Sequence, residues 1–469
     1  MTTVTTVTRY YCYATEEKLC QSLTVTDSHT IVRRTHKRVS PRISQRARSF
    51  RRPPHNHHHQ QALMRRFAPV AAVSVAVTAG LGLGLSMKRT HKPKLSARES
   101  PWNDAIKRLC PHLSEPYQLP VLLNNGHVET IFAALFRSNP HVTYEREVIT
   151  MPDGGSVALD SEVSERQLPA DAPILILLPG LTGGSGDTYV QHTVLHAKQA
   201  GIRAIVFNSR ATSDSPVTTA QFYSASYTGD MRNVVKHVAA KYPSSRIFAA
   251  GWSLGANILT RYLGEERDEC IIEAAAALCN PFDLTVSDKN FQKGFNRVYD
   301  FNLAQSLRRI YKNHHHLFVD ATAKGIRKFE PERALNAKTI REFDDAITRI
   351  SFGWRSVDEY YANSSSSLSI PDVKVPLLVI QAENDCIAPI NAVPFEALEA
   401  NERCQLVVTP TGGHLGWMTS PNLLGAPWTD VALLQYFSAA LELLADSPIK
   451  RHGAIEDPAT SSRTVLVQE

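Results

Sequence analysis

Three residues stand where their types and surroundings suit acyl-group chemistry: Ser253, Asp385 and His414. Ser253 lies in Gly251-Trp252-Ser253-Leu254-Gly255, between the apolar run Ile247-Phe248-Ala249-Ala250 and a helical pattern over Ala256–Glu266. Strand, sharp turn and helix are the context in which a G-x-S-x-G turn exposes a serine. A serine hydroxyl is a poor nucleophile until a base takes its proton, and the base needs a carboxylate to hold its tautomer. Asp385 follows the apolar run Pro376–Gln381, at the carboxyl end of a strand, where α/β sheets place ligand-facing residues. Glu383 competes with it; the turn running on to Pro389 favours Asp385. His414 stands among glycines, Gly412-Gly413-His414-Leu415-Gly416, just past the apolar run Cys404–Thr409. The order serine, acid, histidine after successive strands is the one this arrangement requires.

Acyl transfer also needs two N–H donors for the developing oxyanion. The amide of Leu254, directly after the serine, is one. Leu181, in the glycine-rich loop Pro179–Gly186 that follows Ile174–Leu178, is assigned the other. Phosphate binding by that loop is a weak alternative, because neither G-K-[ST] nor G-x-G-x-x-G accompanies it.

The elements that must position these residues read as an α/β fold. A hairpin, Tyr144–Met151 and Ser156–Leu159, straddles Pro152-Asp153-Gly154-Gly155. Strands are then expected at Ile174–Leu178, Ile202–Phe207, Arg246–Ala250 and Ile271–Leu278. They alternate with helices at Tyr189–Ala200, Asp230–Lys241 and Ala256–Glu266. Near-continuous apolar strands separated by helices imply a mostly parallel central sheet covered on both faces. The alternation breaks over residues 284–365, which are polar and helical, with helices at Leu303–Tyr311 and Ala337–Ile350; this insertion is expected to cap the site. Strands Pro376–Gln381 and Cys404–Thr409, a helix at Pro389–Ala400 and a last helix from Thr429 to Leu444 complete the core.

The ends differ from the body. Between Met1 and Arg66 thirteen Lys/Arg face three acids, whereas the whole chain carries +6, so the remaining residues sum to −4. The basic excess belongs to a tail expected to be disordered, and a nucleic-acid-binding body is disfavoured. Phe67–Met87 holds twenty-one uncharged residues, the length that crosses a bilayer. The heavier basic flank on its N-terminal side favours a cytosolic N-terminus and a single-pass anchor in the endoplasmic reticulum or another endomembrane. An organelle transit peptide leading to a matrix is the alternative, since the tail is rich in Arg and Ser and poor in acids. Residues 88–119 read as a linker and entry helix, 120–445 as the folded domain and 446–469 as a loose tail. The seven cysteines match no zinc spacing. His55 with His57-His58-His59 reads as low-complexity tail and His314-His315-His316 as a solvated helix end, so neither metal nor cofactor is expected.

Residues 120–445 resemble the membrane-anchored α/β-hydrolase group (AB hydrolase 4 family), which spans animal phospholipases and acylglycerol lipases, plant embryogenesis-associated proteins and yeast medium-chain ethyl ester synthases. The matching motifs are Asn125-Gly126-His127 with Thr130-Ile131, Pro179–Ser185, Gly251–Asn257, Tyr262-Leu263-Gly264, Asp358–Tyr361 and Gly412-Gly413-His414. The group often doubles the aspartate at the acid turn, where this chain has Asn384-Asp385, and often has Gln where Glu129 stands. The resemblance implies an α/β-hydrolase fold and a serine esterase or lipase acting on medium- or long-chain acyl esters of lipids. It also admits acyl transfer from acyl-CoA to an alcohol by the same triad, and implies an anchor in the bilayer. A non-catalytic ligand-binding version of the fold is the remaining alternative.

Overall fold

The computed structural model describes residues 87–163 and 168–451. The basic tail over 1–66, the expected anchor apart from Met87, and the last residues, 452–469, lie outside them.

The chain order begins with β1 (Lys88–His91), β2 (Lys94–Ala97), α1 (Pro101–Leu109), β3 (Tyr117–Pro120) and α2 (Gly126–Phe136). The hairpin β4 (Tyr144–Thr150) and β5 (Ser156–Glu162) follows. Then come β6 (Ile174–Leu178), α3 (Thr188–Gln199), β7 (Arg203–Asn208), α4 (Gly229–Lys241), β8 (Ile247–Trp252), α5 (Leu254–Glu266) and β9 (Ala274–Leu278). The insertion contributes α6 (Leu284–Phe291), α7 (Asn296–Ala323), α8 (Pro331–Asn336), α9 (Ile340–Phe343), α10 (Arg349–Ser351) and α11 (Val357–Ser364). The chain closes with β10 (Leu377–Ala382), α12 (Phe395–Ala400), β11 (Cys404–Thr409) and α13 (Trp428–Leu444).

Nine strands form one sheet in the order β2-β11-β10-β9-β8-β6-β7-β5-β4. The six central strands, β11 to β7, run parallel, and β2, β5 and β4 add antiparallel edges. Strands β6, β8, β9 and β10 are buried along their whole length, so their apolar residues run without polar alternation. Successive side chains serve two cores. Ile174, Ile176 and Ala249 pack with Val234 of α4 and Leu259 of α5; Leu175, Leu177 and Phe248 pack with Val194 of α3 and Phe437 of α13. A separate core joins Leu307, Tyr311 and Phe318 of α7 to Phe343 and Ile347 within the insertion.

Strand order reverses between β6 and β8, because β7 lies on the far side of β6. Loops leaving such a switch point diverge and open a crevice at the carboxyl ends of the strands. The loop after β6 and the turn after β8 are therefore neighbours.

Several elements differ from the sequence expectation. Part of the segment read as a linker is sheet: β2 pairs antiparallel with β11, and β1 pairs with β3. Four-residue strands such as Lys94-Leu95-Ser96-Ala97 are too short to display a period. The helix expected over Pro389–Ala400 is a 3₁₀ turn, Ile390–Ala392, followed by α12; Pro394 cannot donate an intrahelical bond. The helix at Leu303–Tyr311 extends to 28 residues as α7 and takes in His314–His316. Ala337–Ile350 is broken by a π-helical turn, Asp344–Thr348.

Candidate active site

The turn after β8 is set by close packing. A Cβ at Gly255 would stand 2.1 Å from the carbonyl oxygen of Leu178, so only glycine lets α5 start this close to β6. Ser253 is held at φ 52° and ψ −120°, a strained conformation that turns its side chain away from the strand. Thr182, in the loop after β6, and Leu415 and Trp417, in the loop that carries His414, also have positive φ.

His414 Nδ1 lies 2.9 Å and 3.1 Å from the two carboxylate oxygens of Asp385. A carboxylate only accepts, so Nδ1–H donates and Nε2 is left to accept. Ser253 Oγ stands 3.1 Å from that Nε2. Asp385 Oδ1 also accepts from the amides of Ile387 and Ala388, at 2.8 Å each, which fixes the carboxylate plane. Glu383 is exposed, whereas Asp385 is buried. The five residues expected from the sequence thus meet at one place: Ser253, His414, Leu181 and Leu254 line one cavity, and Asp385 stands directly behind His414.

The loop after β6 is pinned amide by amide. Gly180 N–H donates to Tyr189 Oη (3.1 Å), Thr182 N–H to Tyr223 Oη (2.7 Å) and Gly184 N–H to Asp187 (3.2 Å). The amides of Leu181 and Leu254 have no acceptor among the described residues. An N–H pair left free beside a nucleophile, at the start of a helix, is suited to a developing negative charge.

Sequence reasoning missed the support behind His414. Glu129, on α2, is fully buried; its carboxylate accepts from Gly412 N–H (2.8 Å) and Met418 N–H (3.2 Å). Thr130 Oγ1 accepts from His414 N–H (2.8 Å), and Asn384 Oδ1 from Gly413 N–H (2.9 Å). Arg137, also buried, donates to the Gly416 carbonyl. One turn of α2 therefore carries much of the histidine loop. Burial pushes the Glu129 carboxyl up to about 7, against the pull of the two amides and of Arg137. A lone acid in the apolar run of α2 gives no sequence signal beyond its place beside the Asn125-Gly126-His127 motif.

The cavity over Ser253 holds about 520 Å³. Leu303, Leu307 and Ile310 of α7, with Phe291 and Phe343, give it an apolar roof. One wall is polar. There Tyr361 Oη donates to Asp344 at 2.9 Å, and burial raises the Asp344 carboxyl to about 6. Asp344 sits in the π-helical turn, a feature often found at functional sites. Among the described residues no cluster of His, Cys, Asp or Glu is arranged to hold a metal ion.

Comparison with known proteins agrees with this architecture. Residues 173–421 match the family described as the alpha/beta hydrolase fold. The chain is 49% identical over 350 residues to the embryogenesis-associated protein EMB8 of Picea glauca, covering 72% of this chain and 76% of that protein. It is 30% identical to human phospholipase ABHD3, over 75% of this chain and 85% of that one. It is likewise 30% identical to the monoacylglycerol lipase of Saccharomyces cerevisiae, over 71% and 83%. With a switch-point crevice, a serine on a strained turn and relatives of this kind, the chain belongs to the α/β-hydrolase family and is of its esterase/lipase type.

Proposed function

We propose that the protein is a serine hydrolase that cleaves medium- or long-chain acyl esters of lipids through an acyl-enzyme on Ser253. The observation that carries this reading is the hydrogen-bonded line Asp385–His414–Ser253 opening into an apolar cavity. His414 Nε2 takes the Ser253 proton as Oγ attacks the ester carbonyl, and Asp385 stabilises the imidazolium. The carbonyl oxygen gains charge as the tetrahedral intermediate forms and is held by the amides of Leu181 and Leu254. His414 returns the proton to the leaving alcohol, and that bond breaks. Water, deprotonated by the same histidine, then releases the acid and restores Ser253. The names of the relatives, a phospholipase and a monoacylglycerol lipase, support a lipid ester as substrate.

Fluorophosphonate labelling of the full-length protein tests the nucleophile: Ser253→Ala abolishes it, and undiminished labelling would overturn the assignment. The cavity predicts a chain-length dependence. Each methylene buried against the roof contributes about 0.8 kcal/mol. For a series of p-nitrophenyl esters, kcat/KM should therefore rise roughly fourfold per carbon until the space is filled. A flat profile would remove the acyl group from the cavity. The uncharged run over residues 67–87 supports a membrane location for this activity; among the described residues no helix is long and apolar enough to cross a bilayer.

A further inference from the structure

Helix α2 presents two stripes with different tasks. Thr130, Ala133, Ala134 and Arg137 line the cavity above Ser253, at the i, i+3, i+4, i+7 spacing of one helical face. The adjoining face, Val128, Ile131 and Leu135 with Phe136, points to solvent; Leu135 is 69% and Phe136 57% exposed. Every exposed residue of this eleven-residue helix is apolar, and its one acid, Glu129, is buried. Aromatic contacts lead from this face onto the insertion, where exposed apolar residues stand among the exposed Lys293 and Arg297. His127 stacks on Tyr299 at 5.7 Å and meets the edge of Phe295 at 5.1 Å, and beyond them Phe295, Val298 and Phe301 are exposed. Scattered apolar side chains on a surface need no explanation, but a continuous patch at the rim of a cavity marks an interaction site.

The chain outside the described residues indicates the occupant. Twenty uncharged residues, 67–86, lead directly into Met87. The Met87 carbonyl accepts from Val121 N–H at 2.8 Å, and Val121 and Leu122 are exposed apolar residues four and three positions before Asn125, the N-cap of α2. Lys88 and Arg89, both exposed, follow at once, as basic residues do at the edge of a lipid headgroup layer.

The geometry points to a lipid-bilayer docking surface, formed by the outer face of α2 with Val121, Leu122 and the exposed start of α7. The α2 helix lies in the interface with its apolar side among the acyl chains. The cavity mouth then faces the membrane, and an acyl ester passes from the bilayer along Ala134 to Ser253 without crossing water. This goes beyond the esterase reading, and its first test does not need activity.

The full-length chain, with Cys12 and Cys20 replaced by serine, is reconstituted in phosphatidylcholine vesicles. The five described cysteines are buried, so a maleimide fluorophore at Leu135→Cys reports on α2. A second protein carries the dye at Val148→Cys, which is exposed on the far edge strand β4. Brominated-acyl lipids should quench the Leu135 dye several-fold more than the Val148 dye. Equal, weak quenching at both positions overturns the docking surface. So does quenching of Leu135 only by a spin-labelled second copy, which makes the face a protein interface. The second measurement uses Leu135→Glu with Phe136→Glu. Hydrolysis of a vesicle-borne long-chain ester should fall at least tenfold, with hydrolysis of a dissolved short-chain ester unchanged. A wild-type rate on vesicles overturns the inference. If the wild type hydrolyses neither ester, the esterase reading fails, and the quenching experiment still decides the docking surface.

Discussion

At the scale of single residues, Glu129 makes a prediction that the triad does not. The carboxyl is raised from 4.5 to about 7, with burial the largest cause. The folded chain therefore keeps a proton that the unfolded chain has already lost, and this contribution to stability declines as pH rises from 4.5 towards 7. Glu129→Gln removes the titration. The stability of wild type relative to Glu129→Gln should fall by about 3 kcal/mol across that window, as read by urea denaturation at a series of pH values. Glu129→Ala strands the buried amides of Gly412 and Met418, at a cost of about 1–3 kcal/mol, and should lower kcat more than it changes KM. Ser253, Asp385 and His414 were legible because each stands in a local pattern of strand and glycine turn. Glu129 was not, because its role depends on a loop some 280 residues later in the chain.

Among the elements, α2 couples the two ends of the candidate site. A Cβ at Gly126 would stand 2.0 Å from the Asn384 carbonyl oxygen, so Gly126→Ala must push the start of the helix away from the acid turn. We expect a loss of kcat of tenfold or more, with Asp385 drawn off His414; a downfield proton resonance for the His414 Nδ1–H in wild type that is lost in the variant would check this. Strands at the centre of the sheet were legible to within a residue or two, because burial on both faces leaves an uninterrupted apolar run, except that β9 starts at Ala274, three residues after the expected Ile271, where the apolar run gives no mark of the first paired residue. β11 falls on the expected Cys404–Thr409. The edge strand β2 and the π-helical turn were not, since neither has a period that four or five residues can express.

For the whole molecule, Arg210 ties three separate segments together. Almost fully buried, it forks onto Asp230 of α4 at 2.7 Å through two nitrogens and onto Asp153 of the β4–β5 turn at 2.6 Å and 3.0 Å. Arg210→Met leaves Asp230 buried without a partner and should cost about 3–5 kcal/mol, visible as a lower denaturant midpoint. Replacing Asp230 by Leu in the same chain should recover much of the loss, because the pair's desolvation goes with it.

The pairing of β2 with β11 also bears on how the chain is made. Lys94–Ala97 finds its partner only at Gln405–Val408, about 310 residues further along. At roughly 5–20 residues per second, the ribosome delivers that partner some 15–60 s after β2 has emerged. Through that interval β2 waits with an open edge. Chains truncated before β11 should accumulate bound to chaperones, and the earliest-made strand of the nine-stranded sheet is then among the last to join it.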